Sequence, residues 1–244
     1  MKNIIRLLFK LFNIKITKRS NYIALAERLR SLENIFNVCD VFSESKSQLR
    51  QDLFVLNQLN FKKGGFFVEF GATNGFDYSN TYLLEKKFGW NGILAEPSIG
   101  WHNDLIVNRN CNIDKNCVWT KSNLLLDFIE VNDKELSTIS HFIKSDGHNE
   151  KRKKGVSYKV NTISLIDLLK KYNAPKEIDY LSIDTEGSEY EILKNFNFEK
   201  YSFKVITVEH NYTSLRDKIF HLLSSKGYTR KLQNLSKWDD WYVK

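Results

Sequence analysis

Proline is scarce in this sequence: Pro97 and Pro175 are the only two in 244 residues. No proline-rich linker divides the chain, and it also lacks a long Gly/Ser tract and any internal repeat of solenoid type. Cysteine is nearly as rare. Cys39, Cys111 and Cys117 are odd in number and lack a paired short spacing, which argues against a disulfide framework and a cysteine zinc site. The expectation is buried free thiols in a reducing, cytoplasmic compartment. No apolar run approaches the roughly 18 residues that a membrane-spanning helix needs. In the opening segment Arg6 and Lys10 break the apolar region and no small-residue cleavage site follows, so an exported protein is not expected.

What is present is enough apolar material, 42% of residues, to bury one sizeable core. Residues 1–19 place Ile4, Ile5, Leu8, Leu11 and Phe12 at helical spacing among six Lys and Arg. Such a segment can pack on its own domain or on a second subunit of a homo-oligomer, or lie peripherally on the anionic inner surface of a membrane. Over 21–60 two helical stripes follow, Tyr22, Ala24, Leu25, Leu29 and Leu32, then Leu49, Leu53, Leu56 and Leu59. The expected organisation is an N-terminal helical extension over 1–60 and one domain over 61–244.

From residue 66 the pattern changes to short apolar runs at 66–70, 92–95, 178–184 and 203–209, alternating with helical stretches at 98–108, 164–172, 188–196 and 213–225. That alternation predicts an α/β domain, a mainly parallel sheet covered by helices on both faces. Added strands are expected at 124–131 and 156–162, and a hairpin at the C-terminal end. The net charge of +8 favours acidic partners, and its densest cluster, Lys151-Arg152-Lys153-Lys154, is expected in an exposed, solvated loop.

The first run ends in Glu69-Phe70-Gly71-Ala72-Thr73-Asn74-Gly75, an acid followed by Gly-x-x-x-Gly, with a helix expected to start near Ser79. This lacks the middle glycine of a dinucleotide fingerprint, which brings backbone amides against a pyrophosphate, so a ligand without phosphate fits better. S-adenosylmethionine is such a ligand. About 20 residues past the glycines the second run ends in Glu96-Pro97, where doubly wound nucleotide sites place the acid that accepts ribose hydroxyls.

The third run closes on Asp184-Thr185-Glu186-Gly187-Ser188-Glu189 and the fourth on Glu209-His210-Asn211. Ligands of open α/β sheets lie beyond the carboxyl ends of the strands, so Asp184 and Glu186 are expected in one crevice with Glu69 and Glu96. Crowded acids need donors, a proton or a metal to coexist. Two arrangements would activate an acceptor hydroxyl: His210 as general base, or a divalent cation, Mg²⁺ or Mn²⁺, on Asp184, Glu186 and Glu209. Glu189 falls in the first turn of a helix, where a negative charge is favourable in itself.

These segments resemble the FkbM-type S-adenosylmethionine-dependent methyltransferases. The likeness is carried by Val68 to Gly75, by Ser79-Asn80-Thr81-Tyr82-Leu83-Leu84-Glu85 with Gly89-Trp90-Asn91-Gly92, by Leu94-Ala95-Glu96-Pro97, and most specifically by Ile178 to Leu193. The resemblance implies a Rossmann-like class I methyltransferase fold, with Glu69, Gly71, Asn74, Gly75 and Glu96 around the cofactor and Asp184 and Glu186 near the transferred methyl. Further cofactor contacts are expected from the matched segments at Ala72, Ser79, Asn80, Thr81, Pro97 and Asp184. No aspartate marks the adenine amine; Asn116, Cys117, Val118 and Trp119 occupy the region where it would be expected, and the contact is expected from the backbone there or from Trp119. Because many such enzymes methylate sugar hydroxyls, the expected activity is O-methylation of a nucleotide sugar, glycan or polysaccharide precursor. The rivals are an RNA ribose 2′-O-methyltransferase and a non-catalytic scaffold. Against the first, Lys204 sits too early on its run, and the basic cluster lacks interleaved aromatics for stacking bases, so nucleic acid is not the expected partner.

Overall fold

The computed structural model describes residues 19–143 and 147–244, and the chain falls into two compact units divided after Ser43. In the first unit the described element is helix α1 (Arg19–Val41), on which Leu32, Ile35 and Phe36 are all more than half exposed. The expected amphipathic segment, Arg19 apart, lies outside the described residues.

The second unit begins at Glu44, so helix α2 (Gln51–Gln58), which the sequence pattern places in the extension, belongs to it. Its Leu53, Phe54, Val55 and Leu56 are buried. There follow β1 (Phe66–Phe70), α3 (Tyr82–Phe88), β2 (Asn91–Ala95), α4 (His102–Asn108), β3 (Asn112–Asp114), β4 (Cys117–Trp119), β5 (Leu125–Glu130) and β6 (Thr138–Ile139). The remainder is α5 (Asn149–Arg152), β7 (Val156–Ser164), α6 (Leu165–Lys171), β8 (Glu177–Ile183), α7 (Glu189–Lys194), β9 (Ser202–Glu209), α8 (Leu215–Ser225), β10 (Thr229–Lys231) and β11 (Asp239–Val243).

Among the described residues seven strands form one sheet in the order β10-β11-β9-β8-β1-β2-β3. β9, β8, β1, β2 and β3 run parallel, and β11 is antiparallel to both β9 and β10. Chain order reverses across the β1/β8 pair, the switch point of a Rossmann-like sheet, where a crevice opens beyond the strand ends. Parallel strands buried on both faces read as continuous apolar runs. The four runs accordingly appear within one residue of expectation. One face packs Leu165, Leu168 and Leu169 of α6, Ile192 and Leu193 of α7, and Ile219 and Leu223 of α8 against a core that includes Tyr242. Its neighbour Trp241 points the other way, as strand alternation requires. There it meets Phe54 of α2, ring centroids 4.8 Å apart.

A smaller sheet, β4-β7-β5-β6, has its own apolar cluster of Cys117, Phe128, Ile139 and Val160. Here the added strands are found, paired antiparallel from Leu125↔Asn161 to Glu130↔Val156. Ser164 ends β7 and caps α6, its hydroxyl accepting from the Asp167 amide at 3.1 Å. The terminal hairpin forms as β10 and β11. β3 and β4, at three residues each, are too short for periodicity to reveal. All three cysteines are free, but only Cys117 is fully buried, and Cys39 on α1 is exposed.

Candidate active site

A cavity of about 460 Å³ opens at the switch point, within the size range of small-molecule sites. β1 and its loop bring Glu69, Gly71 and Thr73 to the wall, and β2 brings Glu96 and Pro97. β8 and its loop bring Asp184 and Glu186, β9 brings Glu209, and Ser79 and Asn80 complete the side nearest β1. Ala72, Asn74, Gly75, Thr81 and His210 do not line it.

The Gly71 loop is fixed by backbone contacts. Gly71 has φ +71°, and a Cβ there would lie 1.8 Å from the Asp184 carbonyl oxygen. Its amide donates to Ala95 O at 3.1 Å, while the Asp184 amide donates to Phe70 O at 3.3 Å. Gly71 therefore lets the turns after β1 and β8 touch. Gly75 serves packing, since a Cβ would meet Arg109 Cγ and Leu105 Cδ1, both at 2.7 Å. Asn74 is a turn former whose Oδ1 accepts from the amides of Phe76 and Asp77, both at 2.9 Å.

Glu69 lies on the wall, yet its carboxylate is engaged internally. It accepts from the Asn80 amide at 2.7 Å, Thr81 Oγ1 at 2.5 Å and Ser79 Oγ at 3.2 Å. Arg109, wholly buried, lies 3.7 Å from it and donates to Glu85, Ser79 and Thr81 at 2.8–3.0 Å. This network holds residues 79–81 outside the helix, so α3 starts at Tyr82 rather than near Ser79. Arg109 had no sequence signal: a lone arginine after a short helix reads as surface.

The fit of S-adenosylmethionine to the cofactor side can be tested on two groups. Glu96 accepts one amide on each oxygen, from Thr73 at 2.9 Å and Ser98 at 2.8 Å, leaving lone pairs for the two ribose hydroxyls. Burial pushes its pKa up to about 7. Asn80 Oδ1 is a buried acceptor without a hydrogen bond, on the cavity wall. It awaits a donor such as the cofactor's amino group. Both groups fit. Of the residues expected near the adenine, Cys117 and Val118 line the cavity, whereas Trp119 packs edge-on against Phe142 at 5.9 Å and is off the wall.

On the opposite side Asp184, Glu186 and Glu209 each offer a carboxylate oxygen within 4.8 Å of the others. Asp184 and Glu209 bring carboxylate oxygens within 4.8 Å of each other, and two buried carboxyls this close do not both ionise readily. Burial, then the Asp239 charge, pushes Asp184 up to about 8. Burial and the charge of Asp184 raise Glu209 well above the usual carboxylate range. Glu186, at φ +59°, accepts from Arg152 Nη2 at 2.7 Å and Asn211 Nδ2 at 3.4 Å. Three hard oxygen donors suit Mg²⁺ or Mn²⁺. Glu189 binds the turn instead, its Oε1 accepting from the amides of Thr185 at 2.9 Å and Gly187 at 3.0 Å.

Two expectations need correction. The Lys151–Lys154 cluster is not wholly a solvated loop: it begins within α5, and Arg152 turns inward, 1% exposed, donating also to Leu136 O at 2.8 Å. His210 stands behind the cavity wall. Its Nδ1 accepts from the Tyr212 amide at 3.0 Å, its Nε2 lies 3.8 Å from Asp240 Oδ1, and burial lowers its pKa. Lys204 bridges Glu177 and Asp179, both at 3.0 Å, near the start of β8 and far from these acids.

The buried acids set a pH dependence. Besides Asp184 and Glu96, burial raises Asp239 to about 7 and Asp52 to about 6. Each holds a proton in the folded chain that the unfolded chain, with carboxyl pKa near about 4, has released. The resulting stability is complete below the unfolded value and is lost as pH rises through about 6 to 8. Carboxyls held low by partners, such as Glu85 and Asp179, titrate below this window. The ligand-free protein should therefore melt at a higher temperature at about pH 5 than at about pH 8.5. Equal melting temperatures would show that these acids ionise together without cost.

The model of the methyltransferase FkbM domain matches residues 69–230. No curated protein matches the chain. Among solved structures, the chain is similar to an FkbM methyltransferase from Methylobacillus flagellatus KT, at 11% identity and TM-score 0.45, covering 90% of this chain and 60% of that one. It is also similar to precorrin-6y C5,15-methyltransferase from Geobacter metallireducens GS-15, at 11% identity and TM-score 0.42, covering 74% and 72%. A third similarity, to a chain of a fibrillarin/Nop5p complex, has 14% identity and TM-score 0.36, covering 73% and 70%. Among the described residues no helix is long and apolar enough to cross a membrane. With the family match spanning about two thirds of the chain and running from Glu69 past Glu209, through both halves of the cavity, the protein belongs to the FkbM family of S-adenosylmethionine-dependent methyltransferases.

Proposed function

We propose that the protein O-methylates a sugar hydroxyl, in a nucleotide sugar, glycan or polysaccharide precursor. One observation carries this reading: the acids Asp184, Glu186 and Glu209 converge on the same cavity as Glu96. A hydroxyl is a weak nucleophile that must lose a proton as it attacks, and a raised carboxyl of this cluster, once ionised, is a stronger base than a free carboxylate. The bound cofactor supplies an electrophilic methyl on a sulfonium that leaves as a neutral thioether. In the transfer the S–CH₃ bond would break as O–CH₃ forms, and the hydroxyl proton would pass to the Asp184–Glu209 pair, which accepts it only in its ionised form. A divalent cation on Asp184, Glu186 and Glu209 would supply Lewis-acid activation of the hydroxyl. Asn211 and Arg152 orient Glu186. His210, off the cavity wall, does not take the proton in this scheme.

The test is release of S-adenosylhomocysteine across a panel of nucleotide sugars and an RNA oligonucleotide, with and without chelator and with Mg²⁺ or Mn²⁺ restored. Turnover of a sugar that falls on chelation and drops about 100-fold or more in Asp184→Asn is expected. Turnover of the RNA alone would overturn the sugar acceptor. Activity indifferent to chelation would remove the metal and leave the carboxylate base.

A further inference from the structure

We propose that Tyr212 and Trp238 form a platform for the acceptor's sugar ring, and that His210 is a positioning residue for Tyr212. This rests on the sugar-acceptor reading above. Both aromatic residues line the cavity, and Tyr212 is 68% exposed, whereas Trp241 is 3% exposed and belongs to the core. The turn that presents Tyr212 is an unusual one. Asn211 and Tyr212 both have positive φ, 45° and 55°, although neither is glycine, and left-handed backbone at a bulky residue persists only where its surroundings enforce it.

The enforcing contacts are specific. The Trp238 carbonyl accepts from the amides of His210 at 2.8 Å and Asn211 at 3.2 Å, tying the two aromatic residues through one backbone junction. The His210 carbonyl accepts from the Thr213 amide at 2.8 Å, and its Nδ1 accepts from the Tyr212 amide at 3.0 Å. The imidazole and phenol rings then meet edge to face, centroids 5.6 Å apart at 74°. The same short segment carries Glu209 of the acid cluster and Asn211, which contacts Glu186. The platform thus borders the carboxylates that would receive the hydroxyl proton.

The chemistry matches a sugar ring. One face of a pyranose presents C–H bonds, which the negative face of an aromatic ring attracts, while the ring's edge hydroxyls stay free to reach the acids. The buried His210 explains its own position in this scheme: it sets the Tyr212 backbone and ring and touches no substrate.

The test takes the nucleotide sugar that the wild-type enzyme turns over best and measures steady-state kinetics, with S-adenosylmethionine affinity by calorimetry as the folding control. Tyr212→Ala should raise the acceptor KM about tenfold, with the loss on KM rather than kcat, and Tyr212→Phe should restore it. His210→Ala should follow Tyr212→Ala. His210→Asn, whose Oδ1 can still accept the Tyr212 amide, should recover the wild-type KM and keep the wild-type pH profile of kcat. A wild-type KM in Tyr212→Ala would overturn the platform while leaving the sugar acceptor standing. Loss of a pH limb in His210→Asn would overturn the positioning role. A wild-type enzyme that binds cofactor yet turns over no sugar would remove the acceptor reading and the platform with it.

Discussion

Gly71→Ala should abolish S-adenosylmethionine binding and methyl transfer while leaving the chain folded. An alanine at φ +71° would carry about 1–2 kcal/mol of left-handed backbone strain, but the larger effect is steric. Its Cβ would sit 1.8 Å from the Asp184 carbonyl oxygen, so one of two turns must move. Neither turn is loose, since Gly71 is bonded to Ala95 and Asp184 to Phe70. Displacement separates the cofactor loop from the acid that ends β8, and a misplacement of about 1 Å is enough to cost about 100-fold in rate. Calorimetry with the cofactor, circular dichroism for the fold and by-product release for activity check this. A Gly71→Ala protein with native cofactor affinity would show that the two turns need not touch.

Arg152→Leu should destabilise the protein by about 3–5 kcal/mol, the usual cost of removing one partner from a buried ion pair. Arg152 is wholly buried against Glu186, whose side chain is 8% exposed. The substitution takes the guanidinium from an acid already crowded by Asp184 and Glu209, and also from the Leu136 carbonyl. Arg152→Lys should not rescue it, because one ammonium cannot span what a planar fork spans. Denaturant unfolding measures the loss, and a double variant with Glu186→Gln should recover part of it, because the two residues act as one pair. Additive losses would show that Arg152 acts through the carbonyls alone. Activity should fall more steeply than stability, since Glu186 belongs to the acid cluster.

The central strands were legible because parallel strands covered on both faces are mainly apolar, as Phe66–Phe70 is apart from Glu69 and Glu177–Ile183 is apart from Glu177, Asp179 and Ser182. The acids at their ends were legible for the complementary reason, that an apolar run does not end in Glu69, Asp184 or Glu209 by packing need. What failed was direction. Successive residues of a strand face opposite ways, so once Glu209 faces the cavity, His210 at the next position faces away from it. Histidine's intrinsic pKa made it an attractive base, and alternation made it a poor one. The buried arginines failed differently. Arg109 and Arg152 sit in sequence contexts indistinguishable from surface, and only the tertiary positions of Glu69, Glu85 and Glu186 give them partners.

The last described strand carries a consequence for how the enzyme is made. β11 is not at the sheet edge; it is inserted between β9 and β10, with Asp239 in register with Glu209. A growing chain that has not yet delivered residues 239–243 leaves β9 with one open edge, and Trp238 cannot tie down the turn that carries His210 and Asn211. The cavity wall contributed by residues 69–118 stands on β1, β2 and their loops and takes no part of its support from β11. The wall that carries Asn211, Tyr212 and Trp238 is held only once synthesis has passed the final inner strand, so during translation one side of the cavity can form before the other.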